Sequence, residues 1–157
     1  MGFAIFFLIT WLTAGIFIVI RKKVSIVENT FVFLVILIIT INITWITTEE
    51  LKLITRTNSA MNFTAYILNR SIIMPLVVLI QLNMLRSFKT TLEKTLTIVF
   101  TVMVMLILSL LSNFFKITQF IKWNYGFDLI YFGILLFIAY FSYRLIRKAS
   151  KNVVEYS

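Results

Sequence analysis

The chain contains no cysteine and no histidine among its 157 residues. The first absence rules out disulfides, thiolate nucleophiles and cysteine-ligated metals. The second removes the usual general base near neutral pH and the commonest metal ligand. Six acidic residues are all that remain for acid–base work. One proline and four glycines supply no flexible linker that would divide the chain, and no internal repeat is present. These gaps leave no expected cofactor, metal or catalytic group, and they place enzyme functions behind non-catalytic ones.

What is present is apolar. Hydrophobic residues fill 61% of the positions and charged residues 13%, where a soluble domain carries about a quarter charged residues. Too little polar surface remains to cover a water-soluble globule, so the expected solvent is a bilayer. The net charge of +9 does not point to nucleic acid, because the cations sit in small groups beside apolar runs and not on one polar face. Anionic lipid headgroups and membrane topology account for that placement.

A helix needs about 17–25 mostly apolar residues to cross the hydrocarbon core. Five segments meet this: 3–20, 30–48, 64–85, 96–115 and 127–143. The expected fold is therefore all-α, a single polytopic bundle of five transmembrane helices with a tail at 144–157. The third span holds Asn69, Arg70, Pro75, Gln81 and Asn83, and a kink is expected at Pro75, which lacks a backbone donor.

Orientation follows from the cations beside each span end. Ten fall on one side (Arg21, Lys22, Lys23, Arg86, Lys89, Lys94, Arg144, Arg147, Lys148, Lys151) and four on the other (Lys52, Arg56, Lys116, Lys122), with Arg70 inside a span. This split predicts an outside N-terminus and a cytoplasmic C-terminus in a plasma or bacterial inner membrane. The bacterial option rests on an Ile-, Phe-, Asn- and Lys-rich composition. No cleavable signal peptide is expected, since the cations follow the first apolar run and do not precede it. Trp45, Trp123, Tyr125 and Tyr143 lie near span ends, as aromatic belts do, whereas mid-span Trp11 is expected to pack against a neighbour. Asn62-Phe63-Thr64 is a glycosylation sequon too close to the bilayer to weigh.

Arg70 is the residue of most interest, because an intramembrane cation is costly unless it has a partner, a cavity or the interface. At 100° per residue Arg70 and Gln81 lie about 20° apart on one helix face. Across a hairpin of the second and third spans, Glu49 or Glu50 would reach the same outer layer. The candidate intramembrane polar cluster is thus Asn42, Glu49, Glu50, Asn69, Arg70 and Gln81. Either a Glu–Arg70 ion pair forms, or Arg70 snorkels to the headgroups and both glutamates stay in water. Asn83, Thr97, Thr101, Ser109, Ser112 and Asn113 are expected chiefly to pack between helices. Asp128 is expected to cap the fifth helix. The tail cations Arg144, Arg147, Lys148 and Lys151 are candidate contacts for an anionic leaflet.

Glu49-Glu50 invites comparison with the paired-glutamate intramembrane proteases related to CAAX-processing enzymes, whose motif resembles EExxxR. Ile54 stands at the arginine position, and the histidines of that chemistry are missing. Size and span number also suggest tryptophan-rich sensory proteins, but the first loop here is RKKVSIVEN, without tryptophan or proline. No family is assigned. The expected function is that of a small non-catalytic accessory, regulatory or protective subunit, partnered with another membrane protein or with itself. The alternative is a transporter or channel subunit for a small polar or anionic solute.

Overall fold

The computed structural model describes the backbone of residues 1–155 and the side chains of residues 1–150. Among these residues, five helical segments are long and apolar enough to cross a membrane. α1 spans Gly2–Val19. α2 spans Ile26–Trp45 and runs on through a π-helical turn, Ile46–Glu50. The third segment comprises α3 (Ala60–Leu68), a second π turn (Asn69–Ile73) and α4 (Met74–Ser87). α5 spans Thr91–Phe114 and α6 Tyr125–Glu155.

Several helix starts are written locally. Ser25 accepts a hydrogen bond from Glu28 N–H while the Glu28 carboxylate accepts from Ser25 N–H, a reciprocal cap for α2. Thr90 and Glu93 repeat the device for α5. These caps extend the helices past the expected edges at 30 and 96, because capping depends on side-chain oxygens and not on hydropathy. At the other end of α5, Lys116 takes a left-handed conformation, φ 53°. Ile117 N–H then reaches the Ser112 carbonyl at 2.9 Å, and Lys116 N–H the Asn113 carbonyl at 3.0 Å, which satisfies carbonyls the helix leaves free.

Pro75 is accommodated by the π turn just before it. Met74 N–H bonds the Asn69 carbonyl, five residues back. The wider turn adds one residue of phase, which relieves the crowding that the proline ring imposes on the preceding turn.

α4 is the central element, packed against α1, α2, α5 and α6. It buries Met74, Pro75, Val77, Val78, Leu79, Gln81, Leu82 and Asn83. Phe6, Val32, Ile36, Met105, Phe132, Leu135 and Ala139 close around it from the other helices. The outer faces are apolar as well, with Trp11, Leu12, Ile16, Ile38, Phe100, Met103, Ile107 and Phe137 all exposed. In water such a surface would be an aggregation liability. Trp11 does not pack inward as expected. It is 68% exposed and meets the edge of the Phe7 ring on its own helix, at 6.4 Å between ring centroids.

Two features at the bundle ends could not be read from hydropathy. At the end holding the α2–α3 and α5–α6 loops, β1 (Ile54–Arg56) and β2 (Thr118–Phe120) pair antiparallel, with Thr55 opposite Gln119. At the opposite end, fully buried Asn83 reaches from α4 to the α1–α2 loop. Its Oδ1 accepts from Lys23 and Val24 N–H at 3.1 and 3.2 Å, and its Nδ2 donates to Asn29 Oδ1 and to the Leu79 carbonyl, each at 2.9 Å. Asn29 in turn donates to the Val24 carbonyl at 2.9 Å.

Candidate functional site

Tyr66, Asn69 and Arg70 in the first half of the third segment face a cavity of about 100 Å³ beneath the two-stranded ribbon. That volume suits a few waters or one small polar group. α2 contributes Thr40 and Thr44, α3 and its π turn Tyr66, Asn69 and Arg70, α5 Ser109 and Ser112, and α6 Asp128 and Tyr131. Ile54, Thr118 and Phe120 of the ribbon close it from above.

Arg70 lies about 15 Å along the helix from the start of α3, at about 1.5 Å per residue. Its guanidinium stacks 5.3 Å from the Tyr66 ring centroid. Its Nε is buried without a hydrogen-bond partner, as is Oδ1 of neighbouring Asn69. Asp128 is only 6% exposed. Its carboxylate accepts from Ser109 Oγ and, at 2.7 Å, from Trp123 Nε1, so it joins α5, α6 and the loop between them. The Ser112 and Thr118 hydroxyls are bonded to each other at 2.8 Å. A cation and a carboxylate thus line one cavity, yet they form no ion pair among the described residues.

The expected polar cluster is only partly assembled. Asn69 and Arg70 line this cavity. Glu49 does not reach Arg70: it bonds Arg56 at 2.8 Å, because β1 folds Arg56 back over the end of α2 while the earlier start of α3 sets Arg70 deeper. Glu50 is exposed. Asn42 also points outward and satisfies its amide on its own helix, donating to the Ile38 carbonyl at 2.7 Å. Gln81 is buried but lines a different cavity, toward the opposite end, with Leu85, Arg86 and Lys94. Between the two cavities α4 contributes Val77 and Val78 to the apolar core.

Asp128 does not supply the α6 cap. Asn124 does, accepting from Phe127 N–H at 3.0 Å, since a side chain caps best from the residue just before the helix. Tyr143 is not an exposed belt residue but is 2% exposed, with the Arg86 and Arg147 guanidinium groups over its ring. Arg144, Arg147 and Lys148 surround it at that end, while the Lys151 side chain lies outside the described residues.

Comparison with family models, with curated proteins and with solved structures finds no match. The site must therefore be judged on its own chemistry. Tyr66, Thr118 and Tyr131 are lining residues that sequence reasoning missed. The ribbon was foreshadowed only by β-branched residues in two loops at one end, Ile54-Thr55 and Ile117-Thr118.

Proposed function

We propose that the protein is a non-catalytic multi-pass membrane protein that acts as an accessory, regulatory or protective subunit, with the ribbon-covered cavity at Arg70 as its recognition element. The observation that carries this reading is unused hydrogen-bonding capacity. Arg70 Nε and Asn69 Oδ1 are buried without partners inside the fold, a costly arrangement that one small polar side chain of a partner, entering the cavity, would relieve. The surrounding surface is apolar, as an intramembrane partner requires.

The orientation proposed is N-terminus outside and C-terminus cytoplasmic, in a plasma or bacterial inner membrane. Supporting it, Arg21–Lys23, Arg86, Lys89, Lys94 and Arg144, Arg147 and Lys148 of α6 gather at the end of the bundle held by Asn83 and Tyr143, and cationic ends stay cytoplasmic. The Arg70 cavity then faces outward.

The test is affinity purification of the tagged protein from its native membrane in mild detergent, comparing wild type with Arg70→Ala by quantitative mass spectrometry. A defined membrane protein recovered with wild type and lost with Arg70→Ala, at equal bait abundance, is the expected result. Identical recoveries would refute the reading. A second reading, solute transport, is favoured by one observation: Arg70 and Gln81 line separate cavities toward opposite ends of one helical segment. It requires the apolar layer between them to open, and it predicts Arg70-dependent uptake in proteoliposomes.

A further inference from the structure

The end of the bundle opposite the Arg70 cavity gathers cations that are far apart in sequence. Arg86 lies in the last turn of α4, Lys94 near the start of α5, and Arg144, Arg147 and Lys148 late in α6. The antiparallel α4–α5 turn and the length of α6 bring them to one place. Two adjoining cavities meet there, sharing Arg86 and Tyr140. The outer one, about 590 Å³, is walled by Arg86, Arg144, Arg147 and Lys148 around two tyrosines. The inner one, about 470 Å³, descends between α4, α5 and α6 along Leu85, Ile98, Gly133, Leu136 and Phe137, with Lys94 at its rim. Both fall within the size of small-molecule sites, about 300–1,000 Å³.

The walls carry charge of one sign. No carboxylate lines either cavity, and among the described residues none of these five cations is ion-paired. Glu93, next to Lys94, is engaged in capping, accepting from Thr90 N–H at 3.1 Å. Arg86 and Arg147 are held in place by stacking on Tyr143, at 5.2 and 5.7 Å from its ring centroid, and Arg144 stacks on Tyr140 at 5.9 Å. The three arginines are thus pre-positioned, and no described carboxylate pairs with them. At Gly133 a Cβ would meet nothing within 4 Å, so the inner cavity has open room along that wall.

We propose that this end binds one anionic phospholipid, its phosphate among Arg86, Arg144, Arg147 and Lys148 and an acyl chain in the crevice past Gly133. A soluble anion would use the cationic chamber alone, and a neutral lipid the crevice alone. Only an anionic amphiphile matches both halves, as basic pockets between membrane helices do for acidic lipids. The inference rests on the membrane reading but not on the role of Arg70.

The full chain, first recovered from carbonate-washed membranes, is delipidated in neutral detergent and titrated with phosphatidylglycerol, phosphatidylcholine or inorganic phosphate. Native mass spectrometry reads lipid stoichiometry and thermal unfolding reads stabilisation. One phosphatidylglycerol per chain is expected, bound in preference to phosphatidylcholine. Arg144→Gln and Lys148→Gln, both exposed, should each weaken it about fivefold. Gly133→Leu keeps every charge, fills the crevice, and should lower retention of the lipid while leaving any phosphate effect unchanged. Equal binding of both lipids, or indifference to all three variants, would overturn the proposal with the membrane reading intact. Stabilisation by phosphate equal to that by lipid, together with full binding by Gly133→Leu, would overturn the lipid as occupant. Release of the protein by the carbonate wash would overturn the membrane reading itself.

Discussion

Replacing Asn83 with leucine should loosen the fold far more than replacing Asn42. Asn83 is fully buried and satisfies three groups outside its own helix: Lys23 N–H, Val24 N–H and Asn29 Oδ1. Lys23 is exposed and can give its N–H to water, but Val24 and Asn29 are 3% and 5% exposed. Two buried groups left unpaired cost about 1–3 kcal/mol each, or about 2–6 kcal/mol together. Lipid is as apolar as leucine, so little transfer energy offsets this loss. Ordinary side-chain hydrogen bonds between membrane helices average about 0.6 kcal/mol and reach about 1.7; a larger value therefore marks a clamp on loop backbone that has no other partner. The assay is reversible unfolding by increasing SDS fraction in mixed micelles, with Asn42→Leu as control. Asn42 is exposed and bonds only its own helix, so its loss should lie within about 0.5 kcal/mol. Asn83→Leu should also speed tryptic cleavage at Arg21–Lys23, since the clamp holds that loop to α4. A cost below about 1.7 kcal/mol, or no change in cleavage, would refute the reasoning.

Asp128→Leu should destabilise by about 2–4 kcal/mol, because it orphans both the Ser109 hydroxyl and the Trp123 indole N–H; a double-mutant cycle with Trp123→Phe should recover part of that as coupling. Arg56→Ala should cost less than about 1 kcal/mol in the same titration, since the Arg56–Glu49 pair is about 40% exposed at both ends, 43% and 42%. Lys116→Gly should stabilise by about 0.5–1 kcal/mol, the relief of a left-handed lysine less the added chain entropy. Gly2→Val should loosen α1 from the ribbon end, because even a Cβ at Gly2 would lie 3.0 Å from Phe115 Cβ; a lower midpoint in the same SDS titration is its readout.

Hydropathy alone located all five long helices, because a run of apolar residues needs no knowledge of its neighbours to be recognised. Charge alone divided the loops into a strongly and a weakly basic set. What it could not supply was phase and depth. The 100° rule put Arg70 and Gln81 on one stripe, but they lie about 16 Å apart along the segment at about 1.5 Å per residue, and the π turn between them adds a residue of rotation. Glu49 found Arg56 because two loops distant in sequence pair as strands, a contact that no local pattern encodes. Asn83 was legible as a polar residue in an apolar span, yet its role as a loop clamp depends on where α1 ends. The sequence by itself determined which segments avoid water and where positive charge collects, since both are properties of residues taken singly or in short windows. Tertiary structure alone decided which polar groups share a cavity, which are spent on holding loops, and which, like Arg70 Nε and Asn69 Oδ1, stay unbonded within the fold, since hydrogen bonds are short and directional and form only where the packed backbone brings donor to acceptor.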